Sequence, residues 1–253
     1  MAVKWGARRQ ILYYIVGLIL LAVLAASAWR VFFYQVPMCS DGVQNGSETG
    51  VDCGGSCAAL CPDTAHAPTV LWARAFLTAS STYTAAAYIQ NNNAAVGAGA
   101  KGVRYDFRLY DDQNFLVKEV DGTMDIPPVQ SVPVVLPGID VGERTVARTY
   151  FEFADQPIAW SKIPQASVAS LRVSDAGIYQ DGRLTSTIAN DSYDDARKVV
   201  VTAILFDAAG VARAASVATI PKVDHRSSAS VTFTWPVPPV DIITPLVTVL
   251  PSF

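Results

Sequence analysis

The run from Ile11 to Trp29 holds nineteen consecutive residues without a charge, and it constrains this chain more than any other feature. A helix rises about 1.5 Å per residue, so this run covers roughly 30 Å, the thickness of a bilayer's hydrocarbon core. The sequence therefore predicts a transmembrane helix and interfacial belt over residues 11–34, with Trp29, Val31, Phe32, Phe33 and Tyr34 forming the belt. Lys4, Arg8 and Arg9 precede the run, and only Arg30 follows closely. Positive charge resists translocation, so residues 1–10 are expected in the cytoplasm and the bulk outside it. Ala26-Ser27-Ala28 has the A-x-A form of a signal-peptidase site, which is the rival reading. The run is longer than the roughly 7–15 apolar residues of a signal peptide, which favours an uncleaved signal-anchor in the cell membrane.

Of the 19 Lys and Arg, four precede Met38, while all 22 Asp and Glu lie at or after Asp41. The exported part thus has fifteen basic against 22 acidic residues, a net of −7 (15 − 22). Nucleic acid needs clustered basic surface, so it is excluded as a partner.

All four cysteines, Cys39, Cys53, Cys57 and Cys61, fall in one segment, spaced C-x13-C-x3-C-x3-C. Residues 38–62 contain too few apolar side chains for a core. Two disulfides are expected to replace it, each contributing on the order of 2–4 kcal/mol. Three pairings are open. Zinc is the alternative, but this spacing is unusual for it, and an exported segment favours disulfides. Asp41, Asn45, Glu48 and Asp52 bring oxygen ligands to the same Gly-rich loop, a composition that suits calcium. The competing reading is that they form turns, since Asp-Gly and Asn-Gly favour positive φ.

Beyond Pro62 the chain alternates β-branched and aromatic residues with polar ones. Ser167–Val173 and Ser230–Trp235 alternate with period two, and Val199–Phe206 is apolar enough for burial on both faces. The Pro-rich stretches 127–137 and 236–245 are poor central strands. The tail from Pro236 reads as an added edge strand or a partner segment. The pattern also recurs, at an offset of 96 to 99 residues for the first pairs. Tyr88–Asn91 matches Thr187–Asn190, and Asp106–Asp111 matches Thr202–Asp207. Ile126-Pro127 then matches Ile220-Pro221, and Thr149–Phe153 matches Val231–Trp235. The expected fold is mainly β: one transmembrane helix, a small disulfide-rich module over 38–62, and two tandem immunoglobulin-like β-sandwiches over 68–160 and 165–253.

Two stretches resemble known families. Cys39-Ser-Asp-Gly-Val-Gln-Asn-Gly-Ser-Glu-Thr-Gly-Val-Asp-Cys-Gly-Gly-Ser-Cys57 resembles the C-x-DG-x-x-NG-x-ETGVDCGG-x-C element of secreted and surface proteins. That resemblance implies a small disulfide-bonded module beside other extracellular domains. Phe107-Arg-Leu-Tyr-Asp111, with the degenerate Ala203-Ile-Leu-Phe-Asp207, is similar to the bacterial FxLYD domain. It implies an immunoglobulin-like sandwich, commonly membrane-anchored, and no catalytic residues to transfer.

Chemistry is sparse. His66 and His225 are 159 positions apart, and neither has a second His at ligand spacing. Asp111-Asp112, Asp191 and Asp194-Asp195 read as turns and solvated surface. Gly97-Ala-Gly99 reads as a flexible loop. The expectation is a membrane-anchored binding or scaffold protein of the cell envelope, not an enzyme, with a protein partner there. The alternative is an accessory subunit of a membrane or surface-appendage assembly, packing through Gly17 and the small residues near Ala25.

Overall fold

The computed structural model describes residues 5–33, 37–154, 156–165, 168 and 170–251. Lys4 and Tyr34, invoked above for orientation and belt, lie outside the described residues, as do Ser167 and Ala169.

Helix α1 spans Trp5–Phe33 and runs unbroken through Ala26–Ala28. Its described apolar side chains are largely exposed: Leu18 is 71% and Leu24 61% exposed. The stretch Arg8–Val31 is long and apolar enough to cross a membrane. Such a helix fits a single-pass anchor or a signal sequence.

The rest is β-structure in antiparallel sheets. Strands β1 (Thr69–Leu77), β2 (Thr82–Gln90) and β5 (Ser131–Asp140) form one sheet, in the order β1-β2-β5. Strands β4 (Leu116–Ile126), β3 (Ala98–Tyr110) and β6 (Arg148–Phe153) form a second, and β7 (Trp160–Lys162) adds to β3. Phe107, Leu109, Ile89, Val132, Phe151 and Trp160 fill the space between them. In the same way β8 (Leu171–Asp175), β9 (Arg183–Asn190) and β12 (Ser227–Thr234) face β11 (Ala212–Val223), β10 (Ala196–Phe206) and β13 (Thr244–Leu250). Leu184, Ile188, Val201, Leu205, Phe233 and Trp235 fill that second core.

A third apolar cluster joins the two sandwiches. Ala86, Tyr88, Trp72 and Phe76 of the β1-β2-β5 sheet meet Ile204, Phe206, Ala212 and Ala215 of the β11-β10-β13 sheet. Trp72 and Tyr88 stack with ring centroids 6.0 Å apart. The order of layers is β4-β3-β6, β1-β2-β5, β11-β10-β13, β8-β9-β12. The two inner sheets are covered on both faces, so their central strands are apolar on both. Ala85, Ala86 and Ala87 of β2 are all fully buried, and alanine lets the layers approach closely.

The F-x-L-Y-D segment shows the consequence. Phe107 and Leu109 point into the first core, while Arg108 points to water and bridges Glu119 and Glu152, each at 2.7 Å. At the corresponding places in β10, Ala203 and Leu205 point into the second core. There the outward position is Ile204, 1% exposed, because water has been replaced by the first sandwich.

Matching hydrogen bonds recur in the two sandwiches. Asn91 donates through Nδ2 to the Ala98 and Pro127 carbonyls and accepts the Asn93 N–H at Oδ1. Asn190 donates to the Asp194 and Val223 carbonyls and accepts the Ser192 N–H. Asp111 Oδ1 accepts the N–H groups of Gln113 and Phe115; Asp207 Oδ1 accepts those of Ala209 and Val211. Burial pushes the Asp111 carboxyl up, but the Arg144 guanidinium and those N–H groups outweigh it, leaving it below its usual range.

Three expectations are corrected by register. First, of the expected strand Ser167–Val173 the described part Leu171–Val173 is strand, within Leu171–Asp175, while Val168 and Ser170 lie before it. Second, the Ile-Pro pairs are not equivalent: Pro127 receives the bond from Asn91, whereas Val223, not Pro221, receives the one from Asn190. Third, Val231–Trp235 does not correspond to Thr149–Phe153. Strand β12 pairs with β9 as β5 pairs with β2, and the tail strand β13 pairs with β10 as β6 pairs with β3. Alternation reports one wet face and does not say which sheet a strand joins. Prolines 133, 137 and 245 are tolerated because β5 and β13 are edge strands.

These placements make a direct comparison. Ile204→Ala should cost about 2–5 kcal/mol in denaturant unfolding of the detergent-solubilised protein. Arg108→Ala, at the matching outward position, should cost under about 1 kcal/mol.

Candidate functional site

The small module after the helix is built on Cys39–Cys57 and Cys53–Cys61, with Cα–Cα distances of 5.6 and 5.0 Å. This is the interleaved pairing among the three possible. With every sulfur so bonded, none is a zinc ligand. Cys57 and Cys61 are almost fully buried and stand in for a core. The paired glycines after Cys53 are required sterically. A Cβ on Gly54 would lie 1.8 Å from Thr49 Oγ1, and one on Gly55 1.7 Å from the Ser47 carbonyl oxygen.

The four candidate calcium ligands lie in this module, and the carboxylates of Asp41, Glu48 and Asp52 are engaged with the loop itself, whereas Asn45 Oδ1 is buried without a hydrogen-bond partner among the described residues. Asp52 accepts the N–H groups of Asp41 and Gly42, at 2.9 and 3.0 Å. Asp41 accepts Asn45 Nδ2 at 2.8 Å and the Val43 N–H at 2.9 Å. These bonds, led by that from Asn45, hold the Asp41 carboxyl below its usual range. Glu48 Oε2 accepts the N–H groups of Asn45 and Asp52. Among the described residues, Asp41, Glu48 and Asp52 do not gather their carboxylates into a three-ligand set. The one such gathering is Cys39, Glu48 and Cys57, whose sulfurs are consumed in a disulfide. Calcium takes six to eight oxygens. Here the carboxylates serve as lashings for tight turns.

The module does not hang free. Ala59 and Ser161 form an isolated β-bridge. The Leu60 N–H donates to the Trp160 carbonyl at 3.0 Å, and the Lys162 N–H to the Ala58 carbonyl at 2.7 Å. Lys162 Nζ reaches the Gly55 carbonyl at 2.7 Å, and Leu60 packs on the first core. The segment that follows is pinned by the Asn91–Asn93 turn. Asn93 accepts the His66 N–H and donates to the His66 carbonyl; Asn92 donates to the Ala67 carbonyl. His66 is thus held through its backbone. Neither Lys162 nor Asn93 was singled out from sequence as a docking residue. The Asn91-Asn92-Asn93 run was the available signal, since three amides exceed what one turn uses.

The remaining candidates disperse. His225 bonds Asp195 at 3.1 Å, and Lys222 bonds Asp195 at 2.9 Å and Asp224 at 2.5 Å. Hydrogen bonds from Lys222, then from the backbone and ring of His225, hold the Asp195 carboxyl far below its usual range. The arrangement ties the start of β10 to the β11–β12 turn. Asp191 pairs with Arg172. Gly97, with φ of 67°, ends a short 3-10 turn over Ala94–Val96; Gly99 is paired in β3. Trp160 and Trp235 lie in the two cores and Trp72 in the junction.

One cleft of about 460 Å³ opens between the sandwiches, lined by Tyr105, Met124, Asp125, Lys198, Thr202 and Leu250 among others. Asp125 accepts the Gly102 N–H at 2.8 Å, and burial raises the Tyr105 phenol. Among the described residues, no second carboxylate and no histidine lines it.

No family model matches the chain, and no curated protein sequence matches it. Solved structures match at low similarity. Red sea bream transglutaminase is 14% identical at a TM-score of 0.26, covering 73% of this chain. This chain spans 29% of the transglutaminase. The calcium-binding domain CBD12 of CALX1.1 is 12% identical at a TM-score of 0.17, covering 60% of this chain and 68% of that one.

The interleaved pairing gives a test. Non-reducing peptide mapping should recover Cys39–Cys57 and Cys53–Cys61. Closing loops of 18 and 8 residues stabilises by about 3 and about 2.5 kcal/mol in the chain-entropy account. Replacing Cys39 and Cys57 together by Ala should therefore release the module more than replacing Cys53 and Cys61, read by hydrogen exchange of residues 38–62.

Proposed function

We propose that this chain is a membrane-anchored, extracytoplasmic binding or scaffold protein of the cell envelope that catalyses no reaction. The observation that carries this reading is the coupling of an unpacked apolar helix to a module bonded onto the first sandwich. Only a few residues separate Phe33 from Cys39, and Lys162 and Asn93 then fasten the module and its following segment to β-structure. A chain so fastened keeps its first sandwich close to the end of the apolar helix in sequence and joined to the module that follows it. That suits presentation of surfaces better than a mobile tether would.

The basic flank before Ile11 favours an N-terminus in the cytoplasm, and the two disulfides suit an oxidising compartment. The matching Asn91/Asn190 and Asp111/Asp207 networks support descent of both sandwiches from one repeated unit of the FxLYD type. A second reading, an accessory subunit packing through its helix, is favoured by Gly17, whose open surroundings leave room for a neighbouring backbone.

Alkaline phosphatase fused after Phe253 should be active, and the mature protein should retain its N-terminal residues. Cross-linking of the full-length protein in its native membrane, with mass spectrometry of the captured species, checks the role. One stoichiometric set of membrane proteins that is lost on Gly17→Leu supports the accessory-subunit reading. Capture that persists in Gly17→Leu supports the scaffold reading. Cleavage after Ala28, or an inactive fusion, would sink the anchored topology.

A further inference from the structure

A sheet edge is a row of unpaired N–H and C=O groups that will pair with any available strand. Proteins blunt such edges with charge, proline or short strands. Among the described residues, every edge strand but one is blunted. Strand β4 carries Lys118, Glu119 and Asp121, and β6 carries Arg148 and Glu152. Strand β1 has Arg74, and β8 has Arg172 in only five residues. Strand β11 has Arg213 and Pro221, and β13 has Pro245.

Strand β12 is the exception. It reads Ser227-Ser-Ala-Ser-Val-Thr-Phe-Thr234, eight residues with neither charge nor proline. It pairs with β9 on one side only. Beyond that ladder, no backbone hydrogen bond from residues 227–234 occurs among the described residues. The contrast with β5 is informative. Strand β5 occupies the same place in the first sandwich, and there Pro133 and Pro137 guard the edge.

The identity of the strand that β12 receives follows from its own side chains. Phe233 and Val231 point into the second core; Ser228, Ser230, Thr232 and Thr234 point out. Opposed residues in a ladder must share a face, so antiparallel self-pairing requires a two-fold axis through a residue rather than between two. An axis at Val231 opposes Ser230 with the other copy's Thr232, and Ser228 with its Thr234. Both are hydroxyl pairs of the kind that stabilise sheets, and one already exists within the chain: Thr185 Oγ1 lies 3.0 Å from Thr232 Oγ1. On the inner face the same axis opposes Ala229 with Phe233, small against large. No like charges meet anywhere in the ladder.

We propose that β12 is a homodimerisation edge, pairing antiparallel with β12 of a second copy about a two-fold axis at Val231. The result is a continuous six-stranded sheet, β8-β9-β12 followed by its symmetry mate. This goes beyond the anchored-scaffold reading, since such dimerisation requires no particular topology in the membrane.

A charge exchange at the exposed positions tests both the pairing and its register. Sedimentation equilibrium of the full-length protein in detergent should show a dimer. In S230K/T232K the axis opposes lysine to lysine twice, and the protein should become monomeric over the same range. In S230K/T232E the axis opposes lysine to glutamate twice, and the dimer should persist. The dissociation constants of the two variants should differ by on the order of tenfold or more. Both substitutions point to solvent within one copy, so equal thermal midpoints at low concentration check the fold. In the unaltered protein, amides of residues 227–234 should gain hydrogen-exchange protection as concentration rises, while β4 amides do not. A monomeric wild type, equal association of the two variants, or concentration-independent exchange at β12 would each overturn the proposal. A strand from a different protein on this edge would appear as the first of these.

Discussion

Strand β2, and strand β10 beyond Lys198, have no exposed face. Each lies at the centre of a sheet with a sandwich core on one side and the other sandwich on the opposite side. Burial of apolar surface on both faces, at roughly 25 cal/mol per Å², sets the remainder of the architecture. It fixes which sheets are inner and which are outer. It explains why the outward positions of β10 are Ile204 and Phe206, whereas those of β3 are Arg108 and Tyr110. It also limits growth. The outer face of the β8-β9-β12 sheet presents Arg183, Thr185, Ser230 and Thr232, so a third sandwich finds no apolar surface there.

The second constraint is attachment. A module with too little core to fold unaided is closed by two disulfides and then bonded to β7 through Leu60 and Lys162. The module and the sandwiches are therefore linked through a short β-bridge and an asparagine turn rather than a long tether.

The two sandwiches share a plan but treat their edges differently. In the first, β5 carries two prolines and β4 a run of charges; in the second, β12 carries neither. Fold requirements are alike at both places, so the difference reflects what each edge must avoid or accept.

Much was legible in the residues alone, because it depends on local composition. The uncharged run Ile11–Trp29 defined the helix, four clustered cysteines defined a crosslinked module, and period-two alternation marked strands. The two-sided burial of Val199–Phe206 was visible as continuous apolarity. Other features needed three dimensions. The disulfide pairing depends on which sulfurs meet, and spacing is indifferent to that. The oxygens of Asp41, Asn45, Glu48 and Asp52 suit calcium by composition, and only the position of the three carboxylates opposite N–H donors shows those tying turns. The alternating strand Val231–Trp235 looked like a match for Thr149–Phe153, yet register puts β12 where β5 lies and gives the matching role to the tail. A side-chain pattern records how many faces of a strand are dry. Which neighbour makes them dry is decided by contacts between residues far apart in sequence, and these form only when the layers pack.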